Sequence, residues 1–122
     1  MSAEAVLSAL KGLESIPEVE LCMLLRKNGD IVLSAGNVGS LSLETFGIMT
    51  ATIYGAANTA NEHLNKSKPN RIVIRSNDGD TLIKDVDSKY VLVIRTATRK
   101  NFPKVLTYMD KTIENIPSDW EV

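Results

Sequence analysis

Between Glu44 and Glu62 the chain carries no charged side chain, yet small and apolar residues recur there at helical spacing. A helix packed once onto a core keeps a charged, solvated face. This segment has none, so a helix built from it must be covered on more than one side. Ser42 stands where an N-cap is expected, and the pattern runs to about Leu64, roughly 33 Å at about 1.5 Å per residue. The seventeen uncharged residues 45–61 include Asn58, Asn61 and four threonines, too polar and too short to cross a bilayer.

The helix divides into three faces. Leu43, Phe46, Thr50, Ile53, Ala57, Ala60 and Leu64 follow alternating three- and four-residue steps, the spacing of a sheet-facing stripe. Gly47, Ala51, Gly55 and Asn58, with Tyr54 nearby, form a second row whose small side chains allow another backbone to come close. The economical occupant is the same helix of a second copy, in a symmetric dimer. Thr45, Ile48, Thr52, Ala56, Thr59 and His63 form the third face.

The rest of the chain supplies what such a helix needs to pack on. Val6, Ala9, Leu10 and Leu13 predict a helix over residues 3–14, with Ser2 as its N-cap and Pro17 as its stop. Residues 19–26 are a nearly continuous apolar run of strand length, and residues 31–35 are the return strand. Asn28-Gly29 between them predicts a hairpin with a type I′ turn. Residues 36–40 are a Gly-rich loop, and residues 66–70 a polar linker. Strands are expected at 71–75, 81–86 and 90–95, separated by Asn77-Asp78-Gly79 and Asp87-Ser88-Lys89. Phe102, Val105, Leu106, Met109, Ile113 and Ile116 form a final amphipathic stripe, with Pro103 in its first turn. Runs 19–26 and 90–95, apolar on both faces, belong at the centre of a sheet covered on both sides; the other three strands read as edge-ward. The expected fold is α+β, an α/β/α sandwich with a five-stranded antiparallel sheet in the order α-β-β-α-β-β-β-α. Residues 3–116 form one domain and 117–122 a tail carrying Trp120.

Composition narrows function by exclusion. A net charge of -1 advertises no nucleic acid and no anionic membrane surface. One cysteine, Cys22, cannot form an intramolecular disulfide, and one histidine, His63, removes most histidine metal sites. Together these point to a reduced, cytoplasmic setting without a cofactor. Catalysis needs a nucleophile beside a base, and His63 has only Glu62 near it in sequence, while Cys22 sits inside an apolar strand. Asp78, Asp80, Asp85 and Asp87 lack the spacing and glycine of a calcium loop, and turn chemistry accounts for them. The Gly36–Ser40 stretch lacks the lysine of a phosphate-binding loop. Arg71, Arg75, Arg95, Arg99 and Lys100 gather near the last strands as a solvated rim or a surface for an acidic partner. No catalytic, cofactor or metal residue is assigned.

The run Val-Glu-Leu-Cys-Met-Leu-Leu-Arg-Lys-Asn-Gly-Asp-Ile-Val at 19–32, the small-residue helix at 46–64, and the strands Ile72-Val73-Ile74 and Tyr90-Val91-Leu92-Val93-Ile94 resemble the roadblock/dynein light-chain family. The resemblance covers roughly residues 3–116; longin and profilin-like domains share the architecture. It implies a homodimer in which the long helices pair and the third strands join two sheets, through Gly47, Ala51, Tyr54, Gly55, Asn58, Ile72, Val73 and Ile74. It also implies a non-enzymatic regulator or scaffold for a small Ras-like GTPase, similar to the single-domain prokaryotic partners of gliding-motility-type GTPases. The third helical face, Ile48, Thr52, Ala56 and His63, is left for that partner. A small-ligand sensor, or a cytoskeletal or motor-associated scaffold, is the alternative.

Overall fold

A computed structural model describes residues 3–36, 42–117 and 120. The elements are α1 (Ala3–Glu14), β1 (Val19–Arg26), β2 (Ile31–Gly36), α2 (Leu43–His63), β3 (Ile72–Ser76), β4 (Gly79–Val86), β5 (Tyr90–Thr96) and α3 (Phe102–Glu114). All strand pairs are antiparallel, in the order β2-β1-β5-β4-β3. The expected order and α/β/α layering hold. Ser2 and most of the Gly-rich loop lie outside the described residues.

Alternation along the strands divides the core into two layers. Cys22, Leu24, Leu82, Leu92 and Ile94 face α1 and α3, meeting Val6, Leu10, Leu13, Val105 and Met109. Leu21, Met23, Leu25, Ile83, Val91 and Val93 face α2, where Tyr54 meets them. Because β1 and β5 supply both layers, they must be apolar on both faces, as their sequences are. Cys22 is buried and donates to the Leu10 carbonyl at 3.1 Å. Burial pushes its thiol up to about 12, so it is an inert core residue.

Three local expectations are corrected. The β1–β2 turn is not type I′: only Gly29 has positive φ, at 97°. Gly29 N donates to Arg26 O and Arg26 N to Asp30 O, a three-residue loop in which glycine takes the left-handed position after an ordinary turn. The type I′ geometry occurs instead at Asp87 (φ 53°) and Ser88 (φ 60°), without glycine. Strand β4 is interior rather than edge-ward, lying between β3 and β5. Its charged residues misled because their partners are remote. Lys84 donates to Asp110 of α3 at 2.7 Å, and Asp85 receives Lys27 and Lys68. Finally, α3 ends at Glu114, although Ile116 beyond it is still buried.

The tail returns to the body. Trp120 is buried, its ring centroid 5.4 Å from that of Tyr90. The Tyr90 hydroxyl donates to the Trp120 carbonyl at 3.4 Å.

The ion pairs carry a pH signature. Burial alone would raise the Asp85 carboxyl, but hydrogen bonds from Lys27, Lys68 and the Ser88 amide outweigh it and hold the group below its ordinary value. Asp110 is likewise lowered, by Lys84 and Arg71 against burial. Carboxyls with depressed folded pKa values contribute stability above their unfolded value of about 3.9, and that contribution is lost as pH falls below it. The urea midpoint is therefore expected to hold from neutral pH to about pH 4 and then drop. In Asp85→Asn/Asp110→Asn the drop should be shallower; an unchanged acid limb would show that the pairs do not contribute.

Candidate functional site: the exposed faces of the long helix

Helix α2 starts where expected: Ser42 Oγ accepts from the Thr45 amide at 3.2 Å. Its rotation about its own axis differs from expectation. The buried residues are Gly47, Thr50, Ala51 and Tyr54, and Leu43 and Phe46 are half-buried against the core. A Cβ at Gly47 would lie 2.9 Å from the Gly29 carbonyl oxygen and 3.3 Å from Leu25 Cδ2. The close backbone approach foreseen for the small-residue row is thus made to the chain's own hairpin. Thr50, at the margin of the buried side, donates its hydroxyl to Phe46 O at 2.9 Å.

Of the residues expected to pair with a second copy, Gly47, Ala51 and Tyr54 face the sheet, and Asn58 is half-buried. Gly55 is exposed, with open space where a Cβ would go. The supposed sheet-facing stripe is split: Ile53, Ala60 and Leu64 are exposed. With Met49 (52% exposed) and the edge of Phe46, Ile53 (38%) and Leu64 (70%) form an apolar ridge along one side of the helix. Met49 was not singled out from sequence, because a lone methionine between two helical stripes carries no periodic signal of its own.

The ridge is accompanied by a free sheet edge. Strand β3 bonds only to β4, so its other backbone groups are unpaired by the sheet. Ile72 and Ile74 turn into the α2 layer while Val73, on the opposite face, is 37% exposed.

The third face lies open to solvent. Ile48, Thr52, Ala56 and His63 are all exposed and lie within one sector of α2. The His63 ring Nδ1 is 2.9 Å from the Thr59 carbonyl, inside its own helix. Ile48, 45% exposed, borders a concavity of about 330 Å³ with Gly29, Asp30, Ile31 and Glu44.

Of the basic residues near the last strands, Arg71, Arg75, Arg95 and Arg99 are engaged with acids of the same chain. Arg71 meets Asp110 at 2.7 Å, and Arg95 meets Asp78 at 3.2 Å. Arg75 and Arg99 flank the fully buried Asp80 at 3.2 and 3.5 Å. Each is ion-paired within the chain, while the Arg75 and Arg99 side chains stay 46% and 55% exposed. Among the described residues no group of three or more His, Cys, Asp or Glu side chains is placed to hold a metal ion. No described helix is long and apolar enough to cross a membrane.

Comparison with known families places this arrangement. The sequence matches the Roadblock/LC7 domain over residues 6–96, from α1 through β5. The chain belongs to the Roadblock/LC7 family. Solved structures agree on the fold. This Roadblock/LC7 domain is similar to Myxococcus xanthus MglB, with a TM-score of 0.86, 17% identity and 93% of each chain covered. It is similar to the gliding protein MglB from Thermus thermophilus, with a TM-score of 0.81, 13% identity, and 93% and 88% covered. A Roadblock/LC7 domain from Streptomyces avermitilis gives a TM-score of 0.81 at 13% identity, with 89% and 92% covered. No curated protein matches the sequence at a significant level.

Proposed function

We propose that this Roadblock/LC7 domain is a non-enzymatic homodimeric adaptor that binds a small Ras-like GTPase and modulates its nucleotide cycle. The observations that carry the reading are the exposed apolar ridge Met49, Ile53 and Leu64 of α2 and the open edge of β3. An exposed apolar strip and an open strand edge each favour a second copy as their occupant. The pairing face proposed here is therefore this ridge with Ile72, Val73 and Ile74, and not Gly47, Ala51 and Tyr54, which are buried against the chain's own body.

Pairing along the ridge leaves Ile48, Thr52, Ala56 and His63 on another side of α2, open to a further protein. The resemblance to MglB, a gliding protein in Thermus, supports a GTPase of the gliding-motility type as that protein. Any effect on hydrolysis comes from positioning the GTPase's own loops. The test is a pull-down from the host lysate with a non-hydrolysable GTP analogue and again with GDP. A small GTPase retained in one nucleotide state supports the reading. Ile48→Asp should then cut retention at least about tenfold while the chain stays dimeric; equal retention would remove this face from the interface.

A further inference from the structure

A separate site lies on the side of α2 away from the ridge. Lys27, Ala51, Tyr54, Gly55, Asn58, Lys68, Asp85 and Ser88 line a pocket of about 240 Å³. The β1–β2 hairpin contributes Lys27, the linker after α2 contributes Lys68, and the end of β4 with its turn contributes Asp85 and Ser88. We propose that this pocket binds a phosphate group, free or carried as the monoester of a small molecule.

The first argument is donor surplus. Lys27, Lys68, Tyr54, Asn58 and Ser88 all bring hydrogen-bond donors to the lining, against the one carboxylate of Asp85, with one Asn58 amide hydrogen already given to Glu62 at 3.2 Å. That carboxylate is already occupied: Asp85 accepts from Lys27, from Lys68 at 2.9 Å, and from the Ser88 amide at 2.9 Å. Two ammonium groups facing one carboxylate leave a positive charge over. Lys68 also donates to Ser88 Oγ at 2.7 Å, which leaves the serine hydrogen free to donate.

The second argument rests on Tyr54. It is only 3% exposed, and its hydroxyl, beside the Asp85 carboxylate, makes no hydrogen bond of ordinary geometry. Burial, and then the nearby Asp85 charge, push this hydroxyl up to about 12, so it is a donor throughout the physiological range. Lys27 stands 4.5 Å over the same ring, holding its ammonium at the pocket. Donors converge on the pocket from a hairpin, a helix, a linker and a turn, an arrangement that suits a tetrahedral oxyanion.

The test uses the full chain and inorganic phosphate at constant ionic strength, balanced with chloride and followed by amide chemical shifts. Saturable shifts are expected at Tyr54, Asn58 and Ser88. Lys68→Met should weaken the apparent affinity about tenfold, and Tyr54→Phe at least about threefold, with the fold unchanged by circular dichroism. Glycerol 3-phosphate binding more tightly than inorganic phosphate assigns the site to a monoester, and the reverse order to the free ion; both support it. Shifts matched by chloride alone, or left intact by both variants, overturn the proposal. So does acetate binding at least as tightly as phosphate. None of these outcomes depends on a GTPase, so failure here is distinguishable from failure of the adaptor reading.

Discussion

An Ile53→Asp chain is expected to run in light scattering as a monomer of 13.4 kDa at concentrations where the parent chain runs at about twice that mass. Ile53 is exposed in the single chain, so the substitution removes little from the protomer's core. In a symmetric pair each ridge meets its equivalent, and the carboxylate appears twice. Burying it among Met49, Leu64 and their counterparts without a partner is unfavourable by several kcal/mol. That corresponds to a rise on the order of a thousandfold in the dimer dissociation constant. Circular dichroism should stay that of the parent. A variant that remains dimeric would move the pairing face away from the ridge, and Gly55→Glu, on the side where a Cβ meets open space, would then be the next position to charge.

The second large effect concerns folding. Gly79 opens β4 with φ at 119°, a conformation that side-chain-bearing residues rarely adopt. A Cβ there would fall 1.9 Å from the carbonyl oxygen of Thr96 on β5 and 2.8 Å from its carbon. These are backbone atoms and cannot rotate away, so the strands themselves would have to separate. Gly79→Ala is expected to destabilise by about 3 kcal/mol or more, a large part of the roughly 5–15 kcal/mol available to a domain. Gly12→Ala makes a control of opposite sign. Gly12 lies within α1 with nothing within 4 Å of a new Cβ, so alanine should stabilise by about 0.5–1 kcal/mol. Urea titration reads both as shifts of midpoint at constant slope. A Gly79→Ala midpoint close to that of the parent would mean that β4 and β5 can part without loss.

The eight elements and their order were legible in the sequence because each rests on a local signal. Continuous apolar runs mark β1 and β5, a regular stripe marks α3, Pro17 stops the connection after α1, and Ser42 caps α2. The free faces of α2 were legible only in part. Ile48, Thr52, Ala56 and His63 came out together on the solvent side because helical periodicity alone groups them. Periodicity cannot choose between two adjacent apolar sides. Both the Phe46–Ile53–Leu64 side and the Gly47–Ala51–Tyr54 side satisfy it, and the second is the one turned inward, with Gly47 letting α2 come close to Gly29 of the β1–β2 hairpin.

What the sequence by itself determined is the architecture, since the periods of its apolar residues and its turn-forming residues act over a few positions. What only the tertiary structure decided is everything that depends on remote partners. Strand β4 can sit inside the sheet because Lys84 reaches Asp110 and Asp85 reaches Lys27 and Lys68. The pocket at Tyr54 exists because a hairpin, a helix, a linker and a turn meet there. Such meetings depend on how the layers stack, and a linear pattern carries no record of them.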